Sequence, residues 1–199
     1  PMSGLWTGGE LVATAGRPAG RPLVVKIGGS LLARPSWPTD LRRLLEKQVR
    51  PCLLVVGGGP VVDGLRRIDV AAPQPAAVMH RLAISAMSLT ADLVATALGL
   101  PRVPEPVGVT ADTAAVLDPE AWFATDADGH GLPAEWRVTS DSIAARVAGA
   151  GGRLLLAKSV PPPEAAGGIL GKLAAAGWVD AYFPQAAAGL VTINWTAPL

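Results

Sequence analysis

Cysteine is almost absent from this chain: Cys52 is the only one in 199 residues. That excludes a disulfide framework and a thiolate metal cluster, and it fits a reducing, cytoplasmic setting. Cys52 lies in the apolar run "CLLVV" and reads as a small buried residue. Charge is scarce as well. Only 17% of residues are charged, Lys plus Arg (17) nearly balances Asp plus Glu (16), and the net charge is +1. With no basic block along the chain, there is no electrostatic footprint for nucleic acid or an anionic membrane. No apolar stretch reads as reaching the roughly 18–20 residues of a membrane span. The N-terminus "PMSGLWTGGELVATAGRPAG" lacks the basic start and long apolar region of a signal peptide. Residues 1 to about 20 are expected to form a flexible lead-in to a single domain over 21–199.

Several familiar motifs are missing too. There is no G-x-x-x-x-G-K-[ST], no G-x-G-x-x-G after a strand, no H-E-x-x-H and no G-x-S-x-G. The two histidines, His80 and His130, are far apart without metal-ligand spacing, so no protein-built metal site is expected.

What is present is an alternation of short apolar strands with helices. Leu23–Ile27, Leu53–Val56, 153–157 and 190–195 read as strands, and "AAVLDP" (114–119) as a strand followed by a helix start. Helices are predicted from Pro38-Thr39-Asp40, with Thr39 as N-cap, over "VVDGLRRI", over roughly Ala76 to Leu98, and over "TSDSIAARVAG". In the first, Leu41, Leu44, Leu45 and Val49 share a face. In the last, Thr139 or Ser140 is the cap and Asp141 sits in the first turn. Uniformly apolar strands alternating with helices predict a layered α/β fold with a mostly parallel sheet.

In such sheets ligands bind beyond the carboxyl ends of the strands. Gly28-Gly29-Ser30 ends one strand, Gly57-Gly58-Gly59 ends the next, and Lys158 follows a third. Glycines at strand ends allow the backbone to approach an anion, and Lys26, an unusual lysine inside the strand "LVVKI", would add a positive charge beside it. Taken singly, each glycine cluster could be an ordinary turn. An acid such as Asp141 is favoured at a helix start by the dipole alone.

The stretches "VVKIGGSLL", "LLVVGGGPVVDGLRR", "VTSDSIAARVA" and "LLLAKSV", in that order, resemble the amino acid kinase superfamily, over most of residues 22–195. The resemblance implies a three-layer α/β/α sandwich, ATP with Mg²⁺ held largely by phosphates, a small-molecule acceptor and a homo-oligomer. It implies that Lys26 contacts the transferring phosphoryl group and that Asp141 orients that lysine. Gly28, Gly29 and Ser30 would cradle the ATP phosphates, with Lys158 on the nucleotide side, and Gly57, Gly58 and Gly59 would face the acceptor. Lys172 matches a G-G-x-x-x-K pattern for a second phosphate-binding lysine, or else belongs to a surface hairpin "ILGKL".

Within the superfamily, "HRLAISAM", "WRVTSDSIA", "LLLAKSV" and "VDAYFP" are similar to a short branch, the [5-(aminomethyl)furan-3-yl]methyl phosphate kinases of methanofuran synthesis. That branch converts a phosphate monoester to a diphosphate. Arg81 would then bind the acceptor phosphate, and Asp63, Asp92, Trp122 and Trp136 are candidates to face a cationic aminomethyl group. His80, Ile84 and Met87 share an apolar helix face and read as core, and Trp136 reads as packing on the following helix. The alternatives are a non-catalytic nucleotide-binding or storage member of the fold, or a kinase for an amino acid carboxylate or isopentenyl phosphate.

Overall fold

The computed structural model of the chain describes residues 6–14, 21–48, 51–106, 109 and 113–198. Among them, seven strands form one sheet: β1 (Trp6–Ala13), β2 (Leu23–Ile27), β3 (Cys52–Val56), β4 (Arg102–Val103), β5 (Ala114–Leu117), β6 (Arg153–Ala157) and β7 (Thr192–Pro198). Their order is β1-β7-β6-β2-β3-β5-β4. Every pairing is parallel except that of β1 with β7. β2 is therefore central, with Lys26 opposite Val55 on one side and Leu156 on the other.

Strand alternation sorts the core into two layers. Val25, Ile27, Leu54 and Val56 pack on one face with Leu41, Leu44 and Leu45 of α1 (Trp37–Glu46). Val24, Leu53 and Val55 pack on the other with Ile143, Ala144 and Val147 of α5 (Ser140–Ala148). The same layer takes Leu173 of α6 (Leu170–Ala175) and Phe183 of α7 (Phe183–Ala186). Helices on both faces of the sheet make the expected three layers. Lys26, two residues from Val24, points to the α5 side, the geometric fact on which the site depends.

Helix α3 (Ala76–Leu98) spans both layers: Ile84 and Met87 join the α5 side, and Ala91, Val94 and Ala95 the other. Contrary to the reading of the sequence, this helix is long and apolar enough to cross a membrane by composition. Met79, Ile84, Met87, Ala91 and Val94 are nevertheless buried inside the protein, as in a core helix.

The N-terminal segment also departs from expectation. Trp6–Ala13 is not a flexible lead-in but an edge strand, in register Gly8↔Thr196 and Glu10↔Asn194, with a bulge between Glu10 and Val12. Its first residue is tied down where the Trp6 indole N–H donates to the Asp40 carbonyl at 3.3 Å. Residues 1–5 and 15–20 of that lead-in lie outside the described residues, as does Val49. Helix α1 begins at Trp37, so Thr39 is inside it and Ser36 holds the cap position. Ser36 does not cap the backbone; its hydroxyl donates to Asp40 Oδ2 at 2.7 Å.

The glycine loops after β2 and β3 interlock. A methyl group on Gly29 would overlap the Gly59 nitrogen and lie 2.6 Å from the Gly57 oxygen. Gly59, at φ +50°, would overlap the Gly29 carbonyl in turn. Gly29→Ala is expected to lower stability by about 1–3 kcal/mol in urea unfolding, as overpacking does. Gly64 lies inside α2 (Gly59–Ala71) with nothing within 4 Å of where its methyl would sit. Gly64→Ala should raise stability by about 0.5–1 kcal/mol through helix propensity alone. Effects of the same sign at both positions would refute the interlock.

Candidate active site

Because β2, β3 and β6 are adjacent and parallel, their carboxyl ends meet at one rim. The chain breaks there are stitched together: Gly28 N–H donates to the Ala157 carbonyl at 2.8 Å, and Gly57 N–H to the Ile27 carbonyl at 2.9 Å. Above this rim opens a cleft of about 510 Å³. Gly57–Gly59 and the start of α2 form one wall, the start of α5 another, and Lys158 with Trp178 a third.

At its floor, Asp141 carries one lysine on each oxygen. Lys26 Nζ lies 2.7 Å from Oδ1 and Lys158 Nζ 2.8 Å from Oδ2. Lys26 and Asp141 are each only 4% exposed. Burial opposes the charge on Asp141, but the Lys26 and then the Lys158 ammonium outweigh it and hold the carboxyl below the usual carboxylate range. Lys158 is pushed down to about 8, first by burial and then by the Lys26 charge, with Asp141 and Asp180 opposing. Its ammonium also lies 5.1 Å from the centre of the Trp178 ring.

The position of Asp141 is set by the N-terminus of α5. Thr139 is the N-cap, and its hydroxyl accepts from Asp141 N–H at 3.5 Å. Asp180, from the loop before α7, locks that turn from outside. It accepts from the Thr139 N–H and hydroxyl (3.0 and 2.8 Å), the Ser142 N–H and hydroxyl (3.0 and 2.5 Å), and the Tyr182 N–H (3.1 Å). Asp180 was not among the residues singled out from the sequence. It is 39 residues beyond Asp141, inside the stretch "VDAYFP" but not picked out of it, and only the packing of the α7 loop on α5 brings it there.

The cleft assembles many of the residues singled out in the sequence and omits others. Lys26, Gly29, Gly57, Gly58, Gly59, Asp63, Asp141 and Lys158 come together in or directly beneath it. Gly28 is buried next to Lys26, where a methyl group would sit 3.9 Å from Nζ and 3.0 Å from the Ala157 oxygen. Ser30 is exposed at the rim, its hydroxyl bonded to that of Ser159 at 3.0 Å.

Arg81 stands outside the lining of the cleft, against expectation, and Lys172 does too, at the surface that its alternative reading allowed. Gly167 and Gly168, both at positive φ, turn the chain into α6 rather than a hairpin. Leu173 takes the buried face there and the neighbouring Lys172 points to solvent. On α3, His80, Ala83, Ile84 and Met87 face the cleft at i, i+3, i+4 and i+7, so Arg81 is rotated about 100° away and is exposed. Asp92 is turned away as well, paired with Arg102 at 3.0 Å. Trp122 is buried, stacked on His130 with ring centres 3.7 Å apart. Two expectations of core packing give way to a mixed role: His80, Ile84 and Met87 line the cleft while packing, and Trp136 lines it too. Burial holds His80 below the ordinary histidine range, so it is mostly neutral near pH 7.

The sequence profile of the amino acid kinase family matches residues 21–161, well over half of the chain. A [5-(aminomethyl)furan-3-yl]methyl phosphate kinase from Methanocaldococcus jannaschii is 26% identical over 187 aligned residues, covering 88% of this chain and 81% of that protein. Among solved structures, uridylate kinase from Archaeoglobus fulgidus superposes with a TM-score of 0.47 at 17% identity. That superposition covers 70% of this chain and 63% of the other, so this chain spans less than two thirds of its length. On the profile match, the chain belongs to the amino acid kinase family, the family of phosphotransferases that its strand-end motifs resemble.

Proposed function

We propose that this chain is an ATP- and Mg²⁺-dependent kinase whose acceptor is a phosphate monoester, of the kind for which its Methanocaldococcus jannaschii relative is named. The observation that carries this reading is the Lys26–Asp141–Lys158 arrangement. Both oxygens of Asp141 are held by ammonium groups, and Asp180 nearby is occupied by five donors. Neither carboxylate is suited to take a proton from an acceptor alcohol. The floor therefore suits an acceptor that arrives already ionised. A phosphate monoester, with a second pKa of about 6, is largely a dianion at pH 7.

The residues present fit a polyphosphate. The N-termini of α2 and α5 both open on the cleft, and two ammonium groups stand between them. Gly29 and Lys158 lie on the side proposed for ATP, Gly57–Gly59 and Asp63 on the side proposed for the acceptor. Among the described residues no three Asp, Glu, His or Cys side chains cluster to hold a metal ion. Mg²⁺ would accordingly be bound mainly through phosphate oxygens and water. In the transfer, an acceptor oxygen–phosphorus bond forms, the β–γ bridging bond of ATP breaks, and its electron pair leaves on ADP. Lys26 and Lys158 stabilise the negative charge of the moving phosphoryl group, and Asp141 keeps both ammoniums aimed. A homo-oligomer belongs to the same reading, for which Leu89 and Leu93, exposed one turn apart on α3, offer an apolar contact.

A coupled ADP-release assay with Mg-ATP and [5-(aminomethyl)furan-3-yl]methyl phosphate tests the reading, with amino acids and isopentenyl phosphate alongside. Turnover with the monoester is expected; ATP binding without turnover on any of them would sink it. Lys26→Ala should cut kcat by about 100- to 1000-fold while the protein remains folded by circular dichroism. Full turnover in that variant would remove Lys26 from the chemistry.

The charge on Lys158 is lost as pH rises through about 8. The wild-type kcat/KM profile should therefore fall on its basic side near that pH. Arginine stays charged far above it, so Lys158→Arg should move this limb to higher pH. A limb that stays in place in the variant would assign it to another group.

A further inference from the structure

One end of the cleft is not explained by phosphoryl transfer. Along α2, Gly59, Asp63 and Arg66 follow one another at i, i+4 and i+7, so the face that begins at the glycine loop ends in a guanidinium. Arg66 Cζ lies 5.2 Å from the centre of the Trp136 ring. Trp136 is itself fixed, its indole N–H donating to Asp69 Oδ2 at 2.7 Å, while Asp69 Oδ1 accepts from Gln74 N–H at 2.9 Å. A chain of three contacts thus orients Arg66 from behind.

Stacking uses the face of a guanidinium and leaves its N–H edge available for oxygen. The nearest carboxylate, Asp63, is 3.8 Å away and exposed, a weak partner. Arg137, the other arginine lining the cleft among the described residues, has a closer carboxylate partner, Glu135 at 2.6 Å, also at the surface. Beside Arg66 the wall is apolar, formed by Val62, Ala83, Ile84 and Met87. That pairing of one under-neutralised, pre-oriented cation with a greasy wall suits an anion attached to a carbon body, and suits ATP phosphates poorly.

We infer that Arg66, held by Trp136, is the specificity-determining residue for the acceptor: it binds the acceptor's phosphate oxygens while the α3 wall takes the carbon body. The inference rests on the phosphate-monoester reading above and assigns to Arg66 the role expected of Arg81 from the sequence. Asp69 is a positioning residue acting through Trp136.

The test uses benzyl phosphate as the acceptor probe in the full chain. Arg66→Ala should raise its KM by about ten- to a hundred-fold, the scale of a lost charged hydrogen bond, and leave the KM for ATP within about two-fold. Arg67→Ala, a neighbour on α2 outside the lining of the cleft, is the control and should leave both unchanged. Asp69→Asn should raise the benzyl phosphate KM less than Arg66→Ala does, without altering kcat. Wild-type turnover of benzyl phosphate with an unaltered KM in Arg66→Ala overturns the assignment and leaves the kinase reading intact. If the wild type turns over no monoester, the kinase reading fails and tryptophan fluorescence decides the inference by itself. Quenching by benzyl phosphate that disappears in both Trp136→Phe and Arg66→Ala supports it, and quenching that survives in Arg66→Ala overturns it.

Discussion

Two ammonium groups sharing one buried carboxylate is the constraint around which this protein is arranged. Each buried ion costs several kcal/mol in lost hydration, recovered only through close pairing. Asp141 pairs with both Lys26 and Lys158, so two ammoniums share one contacting carboxylate, a local positive surplus that the more distant Asp180 only partly offsets. For the folded chain alone that surplus is a liability. For an incoming phosphate it is complementary, in a setting where water screens little. A local rule of stability is broken at the place proposed for phosphoryl transfer.

The rest of the structure holds that surplus in place. Lys26 stands on the central strand, flanked by β3 and β6, so its backbone has no freedom to retreat. Asp141 stands on the first turn of α5, and Asp180 gathers that turn through contacts to Thr139 and Ser142. Lys158 begins the segment after β6, and its N–H donates to the Thr196 carbonyl at 2.9 Å. Three different elements supply three charges, and the parallel sheet brings them to one rim.

The glycines at that rim have two physical reasons to be there. Close approach to an anion is the proposed one. The other is the mutual approach of the two loops, in which Gly29 and Gly59 touch backbone to backbone. The second holds without any ligand, and it sets the start of α2 directly against the end of β2. Packing and the proposed binding thus demand the same residue.

How much of this was legible depends on how local each signal is. A strand of period two, a glycine break and a Thr-x-Asp helix start are written in a few adjacent residues, so Lys26 and the two glycine clusters could be picked out directly, whereas Asp141 gained a role beyond its helix start only through the family resemblance. So could the α/β layering, because buried parallel strands are apolar throughout. The edge strand β1 could not: its exposed, glycine-containing sequence is given its strand form by pairing with β7, some 190 residues away. Arg81 was misplaced for a related reason. A helix period says which residues share a face, but not which way that face turns, and a rotation of about 100° exchanges cleft for solvent. Asp180 and the Trp136–Arg66 stack join segments dozens of residues apart. The sequence by itself determined the kinds of element and the residues bearing the central charges, because those follow from near neighbours. Only the tertiary structure decided which side chains face the cleft and what holds them there, because helix phase and loop packing are set by contacts between distant parts of the chain.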